Sequence, residues 1–284
     1  MVNKRSWGTW PKKMIEEFNT VSGVVTAASA LFAVGTWSLM SGTYATFLAS
    51  GGAVIAVVAV ISAGYRSFPA PLRQIEDIVG KMVDLRDLSN IHPTPSILAI
   101  VGVSMSGKTT LRNCLAHVIS DQARTQTVTA QILALQTAPP TFIALLDGGG
   151  ERYAQQFDLV AKCDHLCIVI DHNTSSDEAG VLQERLDQHA EFLKQVRHFF
   201  DQKELPSKKS IQLLVNKKDL WKLAEKSDIK ILDQFCEREL GYWKQGLKSN
   251  NITMQHHSNE EPADIARFTK YLKECVISGG IPHE

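Results

Sequence analysis

The stretch that decides the fold of this chain reads Ile97-Leu98-Ala99-Ile100-Val101-Gly102-Val103-Ser104-Met105-Ser106-Gly107-Lys108-Thr109-Thr110. An apolar run is followed by a glycine-bounded loop and then by residues that can begin a helix. The loop fits the pattern G-x-x-x-x-G-K-[ST], whose glycines let successive backbone N–H groups point inward at phosphate oxygens. The following helix directs its positive end at the same phosphates.

The side chains of this loop suggest the rest of a phosphate site. Lys108 adds a positive charge at the β- and γ-phosphates, and the hydroxyl of Thr109 can bind Mg²⁺. A strand, a turn and a helix that match the pattern by chance are the alternative. The pattern predicts nucleotide binding, without identifying the nucleotide, by residues Gly102, Val103, Ser104, Met105, Ser106, Gly107, Lys108, Thr109 and Thr110.

Length and composition restrict the remaining possibilities. The chain has 284 residues, enough for one domain and an extension, and its formal net charge is zero, which argues against nucleic-acid binding. The five cysteines include no C-x-x-C pair, so we expect reduced structural thiols.

A long uncharged segment precedes the loop. No charged residue occurs between Phe18 and Tyr65, and Ser41-Gly42-Thr43 interrupts the apolar sequence. We expect a transmembrane helical hairpin over residues 18–65 that crosses at about 21–40 and about 44–64, because a bilayer requires roughly 20 residues per helix. A cleaved signal peptide would have one shorter apolar core, and a buried soluble hairpin would show polar faces.

The charges that flank this segment predict its orientation. Basic residues occur in the N-terminal segment 1–17 and again at Arg66 and Arg73, whereas the connecting loop has none. By the positive-inside rule, both ends of the hairpin face the cytoplasm. The sequence therefore predicts an integral membrane protein whose residues 1–17 and whose domain after the hairpin are cytoplasmic.

Residues 66–95 show a helical spacing of apolar residues. The pattern predicts an amphipathic juxtamembrane helix, which Pro93 and Pro95 end as a short linker. Its apolar stripe could pack on the following domain, lie on the membrane or pair with a second copy, and packing on the domain is favoured. The stripe consists of Leu72, Ile75, Ile78, Val79, Met82, Leu85 and Leu88.

From residue 96 onward, predicted strands and helices alternate. The pattern predicts an α/β domain over 96–277 with a doubly wound, mostly parallel six-stranded sheet, followed by a tail at 278–284. The expected strands are 97–101, 127–135, 142–146, 165–170, 211–215 and 252–255, and the expected helices are about 109–120, 151–163, 177–201, 228–247 and 261–277.

Two further motifs follow predicted strands of this domain. Asp147 begins the sequence D-G-G-G, in which the carboxylate can hold Mg²⁺ and the N–H of Gly150 can reach a γ-phosphate. Asn216-Lys217-Lys218-Asp219 ends another strand. The carboxylate of Asp219 can accept both N1–H and the 2-amino group of guanine, whereas adenine would leave it unpaired.

These three motifs together resemble those of the Ras-like small GTPases in the P-loop GTPase superfamily. The similarity covers about residues 96–277 and implies binding of GTP or GDP with Mg²⁺ at Thr109 and Asp147. It implies γ-phosphate contact at Gly150 and base recognition by Asn216, Lys217 and Asp219. A membrane anchor joined to such a domain is similar in layout to the signal-recognition-particle receptor beta subunits, whose anchor is usually a single span.

Three departures from the family pattern affect what the resemblance implies. Counted from Asp147, Glu151 stands where the family has its water-orienting Gln, whereas counting back from Arg152-Tyr153 leaves that Gln without a counterpart. In either alignment no amide positions the attacking water, so we expect slow intrinsic hydrolysis, with Lys108 and Glu151 as candidate catalytic residues. Thr125 is the candidate switch threonine, with Thr127 and Thr129 as alternatives. Ser258 is the candidate for the third base loop, where the family has S-A-K.

The sequence thus predicts a membrane-anchored, GTP-dependent switch whose ordered state a protein effector or a GTPase-activating partner recognises. One alternative is a receptor or scaffold that keeps GTP as a fixed ligand. Another is self-association through the amphipathic helix, with the nucleotide controlling assembly.

Overall fold

The computed structural model describes residues 10–37, 43–67, 72–116, 129–135, 137, 140–147, 153–203, 210–246 and 252–278. The chain divides into two compact units, Met1–Arg73 and Gln74–Glu284.

The first unit contains two long helices, α1 (Trp10–Trp37) and α2 (Thr43–Ser67), that pack against each other. A Cβ atom on Gly52 would lie 2.6 Å from the carbonyl oxygen of Ala28, so glycine is needed for this close approach. Within the described part of the chain, one helical stretch, Ser50–Ser67, has the length and composition of a membrane span. Two helices therefore occupy the predicted region, and length and composition single out one of them as a span.

The second unit begins with short elements and continues as an α/β domain. Its strands are β1 (Arg73–Gln74), β2 (Met82–Asp84), β3 (Ile91–His92), β4 (Ser96–Gly102), β5 (Thr129–Leu135), β6 (Thr141–Asp147), β7 (His165–Ile170), β8 (Ser210–Val215) and β9 (Ile252–His256). Its helices are α3 (Lys108–Ala116), α4 (Tyr153–Lys162), α5 (Gln183–Lys203), α6 (Lys218–Trp221), α7 (Lys226–Gly246) and α8 (Pro262–Ser278).

The main sheet has the order β2-β5-β6-β4-β7-β8-β9, and β1 and β3 form a separate two-stranded sheet. Strands β6, β4, β7, β8 and β9 are parallel, whereas β5 is antiparallel to β6 and β2 is antiparallel to β5. Because β4 lies between β6 and β7, the loop that follows β4 is at the point where the chain order reverses direction. Ligands of doubly wound sheets bind at this point.

The prediction of an amphipathic helix after the hairpin is wrong. Residues 72–92 form short strands and 3-10 turns, and β2 adds a seventh strand where six were expected. Gly80 has φ +79°, which an α-helix does not tolerate, and its N–H donates to the carbonyl of Ile132 on β5. Pairing with the exposed edge of β5 therefore replaced the helix that the local spacing favoured.

The favoured packing of this segment on the following domain is confirmed, although only part of the predicted apolar stripe takes part. Val79 and Met82, which belonged to the predicted stripe, are 38% and 50% exposed. The residues that join the core of the domain are Ile75, Ile78, Val83, Leu88 and Ile91. Residues 74–95 therefore belong to the second unit and are not a separate linker.

The helix after β7 begins later than predicted. The sequence favoured a start near residue 177, whereas α5 begins at Gln183. The side-chain oxygen of Asn173 accepts from the N–H of Ser175 at 2.9 Å, and its amide nitrogen donates to the carbonyl of Gly180 at 3.0 Å. These local hydrogen bonds compete with helix formation, so the residues between β7 and α5 form a loop.

Candidate nucleotide-binding site

The loop between β4 and α3 has the backbone of a phosphate cradle. Gly102, Met105 and Gly107 have φ values of +150°, +65° and +94°. A Cβ on Gly102 would lie 2.5 Å from the carbonyl oxygen of Val169, so a side chain cannot be accommodated there. The ammonium group of Lys108 donates to the carbonyl of Val103 at 2.7 Å, across the loop. This segment, Gly102–Thr109, is called the P-loop below.

The base loop follows β8 and contacts the P-loop directly. The amide nitrogen of Asn216 donates to the carbonyl of Ser106 at 3.0 Å. A Cβ on Gly107 would lie 2.2 Å from the same nitrogen, so this glycine is required by contact as well as by its φ. Asn216 therefore bridges the base side and the phosphate side, as its position in the motif suggested.

Ser258, the candidate for the third base loop, lies beside Asp219, the carboxylate predicted to read the base. Its hydroxyl donates to Oδ1 of Asp219 at 2.6 Å. The next residue, Asn259, donates from its amide nitrogen to the carbonyl of Gly107 at 3.0 Å. The loop after β9 therefore meets both the base loop and the P-loop.

The loop after β9 is held by a carboxylate that the sequence analysis missed. Asp264, in the first turn of α8, accepts from the N–H of Ser258 at 3.0 Å and is paired with the ammonium group of Lys218. Burial acts to raise the pKa of Asp264, but the hydrogen bonds from Lys218 and from the Ser258 amide outweigh it and lower the pKa. The only sequence signal was an acidic residue at a predicted helix start.

Lys217 points away from the P-loop, toward the loop after β7. Its ammonium group donates to the carbonyls of Asn173 at 2.6 Å and Ser175 at 2.9 Å, and it lies 2.8 Å from a carboxylate oxygen of Asp171. Sequence reasoning gave Asp171 no role. A charged residue directly after the apolar run at residues 166–170 was the signal that could have found it.

Two buried polar atoms in the site indicate that a polar ligand belongs there. Within the described ranges, the hydroxyl of Ser106 and the side-chain oxygen of Asn216 have no hydrogen-bond partner. Buried polar groups are normally paired, so these atoms suit a ligand that spans the P-loop and the base loop.

The predicted Mg²⁺ ligands belong to β6, which pairs with β4, and to α3, which follows the P-loop. Asp147 ends β6 and pairs in register with Ile100 of β4, while Thr109 is the second residue of α3. The side chain of Asp147 lies outside the described part of the structure. The described residues include no group of three or more His, Cys, Asp or Glu able to hold a metal ion. One hydroxyl and one carboxylate still suit Mg²⁺, which takes its other ligands from phosphate and water.

Several predicted switch residues lie outside the described part of the chain: Thr125, Thr127, Gly150 and Glu151. Thr129 begins β5, directly opposite Asp147. The sequence analysis also missed a contact between α4 and the P-loop. The side-chain oxygen of Gln156 in α4 accepts from the N–H of Gly102 at 2.8 Å.

Comparison with known proteins identifies the fold. Residues 97–217 match the model of the 50S ribosome-binding GTPase family. The search of curated protein sequences gave no match. A structure titled as that of the mammalian SRP receptor is similar, with a TM-score of 0.50 and 20% identity over 63% of this chain and 99% of that chain.

Two archaeal structures are also similar. One is elongation factor SelB from Methanococcus maripaludis with the GTP analogue GppNHp, at a TM-score of 0.45 and 19% identity over 66% of this chain and 35% of that chain. The other is Roco2 RocCORdC from Methanosarcina barkeri bound to GDP, at a TM-score of 0.43 and 20% identity over 64% of this chain and 49% of that chain.

Proposed function

The chain contains a P-loop GTPase domain, and from this premise we propose a membrane-anchored guanine-nucleotide switch with slow intrinsic GTP hydrolysis. The observation that carries the proposal is the meeting of three loops around one site. Asn216 joins the base loop to Ser106, Asn259 joins the third loop to Gly107, and Ser258 donates to Asp219. A ligand with phosphates at one end and a purine at the other fits this arrangement.

Guanine specificity would come from Asp219. Its Oδ1 accepts from Ser258, which orients the carboxylate while it pairs with the N1–H and 2-amino groups of the base. Adenine has no donor at either position, so the carboxylate would lose its water without gaining a partner. Ser258 itself is held in place by Asp264.

Lys108 and Thr109 would stabilise the phosphate end. Lys108 contacts the carbonyl of Val103 in this structure and can exchange that partner for phosphate oxygens without moving its backbone. Thr109 and Asp147 would hold a Mg²⁺ ion, which supplies charge neutralisation at the β- and γ-phosphates.

Hydrolysis would be slow because Glu151 replaces the amide that orients the attacking water in related GTPases. A carboxylate next to a γ-phosphate also adds unfavourable negative charge. Gly150 and Thr125 would contact the γ-phosphate and change position when it leaves. A protein partner would recognise the GTP-bound arrangement of these segments.

The membrane anchor would be the hairpin of α1 and α2. Apolar side chains of α2 are unusually exposed, with Val54 at 61%, Val57 at 56% and Ile61 at 65%. A water-soluble protein rarely exposes such a surface, whereas lipid chains would cover it. Small residues between the helices permit the close packing common in membrane helix pairs. By the positive-inside rule, the flanking basic residues support a cytoplasmic location for the GTPase domain.

A second candidate function is a receptor or scaffold that keeps GTP bound and hardly hydrolyses it. The absence of the water-orienting Gln at Glu151 favours this alternative. Lys108, which would bind phosphate, and Thr109, which would bind Mg²⁺, are both present and favour a working GTPase.

The first test measures binding and hydrolysis by the full-length chain in detergent. We expect GTP and GDP to compete for the site at least about 100-fold better than ATP. Single-turnover hydrolysis should be slow alone and faster with a membrane extract. ATP competing equally would contradict the guanine assignment, and no acceleration by the extract would favour the scaffold.

The second test concerns the membrane. We expect the full-length chain to stay with membranes after extraction at alkaline pH. Protease added from the cytoplasmic side should digest the GTPase domain. Release of the intact chain into the alkaline supernatant would contradict the proposed anchor.

A further inference from the structure

A buried carboxylate, Asp171, lies where α5 meets the loops of the site. It directly follows β7 and is fully buried. Its Oδ1 accepts a hydrogen bond from Nε of Arg185 at 2.6 Å and lies 2.6 Å from Nε2 of His189. Both of these residues belong to α5, so Asp171 connects that helix to the end of the central sheet.

Arg185 extends this connection to the phosphate side. While Nε binds Asp171, Nη2 donates to the carbonyl of Ser104 in the P-loop at 2.8 Å. The guanidinium group is a rigid fork whose donors point in fixed directions, so the two contacts fix the position of the P-loop relative to Asp171.

Lys217 extends the connection to the base side. Its ammonium group lies 2.8 Å from Oδ2 of Asp171 and donates to the carbonyls of Asn173 and Ser175. The ammonium group thus makes two hydrogen bonds to backbone carbonyls and an ion pair with the carboxylate. Lys217 also has a left-handed backbone with φ +59°, between the base-contacting residues Asn216 and Asp219. Anchoring its side chain therefore restrains the loop that reads the base.

The charges explain why this cluster is rigid. Burial lowers the pKa of His189, with Asp171 acting in the opposite direction, so a neutral imidazole is favoured, and its Nε2 also lies 3.1 Å from the backbone N–H of Asp171. Asp171 is then the negative charge that compensates Arg185, which is 3% exposed, and Lys217, which is 13% exposed. Removing the carboxylate would leave two buried cations facing each other.

The geometry points to Asp171, Arg185 and His189 as positioning residues that couple the P-loop to the base loop and thereby set the rate of guanine-nucleotide release. The inference rests on the proposed binding of GTP and GDP at this site. A bound nucleotide spans both loops, and release requires them to loosen. Asp171 restrains both through Arg185 and Lys217, so weakening either connection should shorten the residence time of the nucleotide.

The test uses Arg185→Lys in the full-length chain. Lysine keeps a positive charge beside Asp171 but lacks the two fixed donors with which the guanidinium group contacts Asp171 and Ser104. We expect release of a fluorescent GDP analogue to be about tenfold faster, the factor that loss of one hydrogen bond to a charged group corresponds to. The association rate should stay within about twofold, because on-rates vary less than off-rates.

Arg197→Lys provides a matched control on the same helix. Arg197 donates to Glu239 of α7 at 2.7 Å, so this variant weakens a comparable ion pair whose described contacts are with α7. Its thermal midpoint should fall while GDP release keeps the wild-type rate. Unchanged release in Arg185→Lys, or equal acceleration in both variants, would overturn the inference.

A second pair of variants separates folding from positioning. Asp171→Asn alone leaves two buried cations and should lower the thermal midpoint strongly. Asp171→Asn combined with Arg185→Gln removes one charge of each sign, so stability should partly recover while GDP release stays fast. Wild-type release from the double variant would contradict the coupling role. If the wild-type chain binds no guanine nucleotide, the proposed function itself fails, which is a different result.

Discussion

Asp219 is the residue on which, in the proposed function, the identity of the base depends. We expect Asp219→Asn to weaken GTP binding by at least about 100-fold and to improve binding of xanthosine triphosphate, whose 2-oxo group accepts from the new amide. Competition with a fluorescent GDP analogue measures both changes. Asp187→Asn, an exposed carboxylate on α5, is the control. An unchanged nucleotide preference in Asp219→Asn would show that the carboxylate does not read the base.

Gly107 shows how tightly the site is packed. In Gly107→Ala the new Cβ would approach the amide nitrogens of Asn216 at 2.2 Å and Asn259 at 3.0 Å, in a left-handed backbone. We expect at least tenfold weaker GDP binding and a loss of about 1–3 kcal/mol in the free energy of unfolding, measured with urea.

Gly241 is the matched control for that substitution. It lies inside α7, and a Cβ there would meet no described atom within 4 Å. Gly241→Ala should raise the free energy of unfolding by about 0.5–1 kcal/mol and leave GDP binding unchanged. If both variants bind GDP normally, the contact between the P-loop and the amides is not needed for binding.

At the scale of elements, the first turn of α8 positions the third loop. Asp264 is fully buried and pairs with Lys218, whereas Glu261, 2.7 Å from the same ammonium group, has a side chain that is 38% exposed. We expect Asp264→Asn to cost about 3 kcal/mol of stability and to weaken GDP binding, because Ser258 loses its anchor. Glu261→Gln should cost less than about 1 kcal/mol. Urea unfolding and GDP titration of both variants test this, and equal costs would contradict it.

The short segment before β4 shows why local pattern was insufficient at this scale. Its apolar spacing fits a helix, yet the same residues pair as β2 along the edge of β5. A spacing of three and four residues between apolar side chains does not identify a helix when a turn interrupts the segment, as it does at Gly80. By contrast, β7 begins and ends where the sequence predicted, because the five apolar residues that follow His165 suit a strand covered on both faces.

At the scale of the whole molecule, buried histidines should make stability depend on pH. Burial lowers the pKa of His165, His189 and His257 below the ordinary value of 6.5. The folded protein then binds fewer protons than the unfolded chain below pH 6.5, so stability is present above that value and is lost as the pH falls through it. We therefore expect the free energy of unfolding to be lower at pH 5.5 than at pH 7.5.

Urea unfolding of the full-length chain at the two pH values, with GDP held constant, measures this change. His189→Gln should reduce the slope of stability against pH, because the amide can still donate to Asp171 without titrating. His198→Gln, an exposed position on α5, is the control. A constant stability between pH 7.5 and pH 5.5 would show that these histidines are not neutral in the folded protein.

The sequence by itself determined the P-loop, the base motif, the α/β class and the long uncharged segment, because each depends on residue type at short spacing. Asn216 and Ser258 were found in this way, and the structure brings both to the site. Asp171 and Asp264 had only a weak local signal and Arg185 and Gln156 had none, because the contacts that give these residues a role form only when separate elements pack together. The tertiary structure alone decided those contacts, as it decided the seventh strand. Buried charges and unpaired sheet edges acquire their partners only when distant segments pack together.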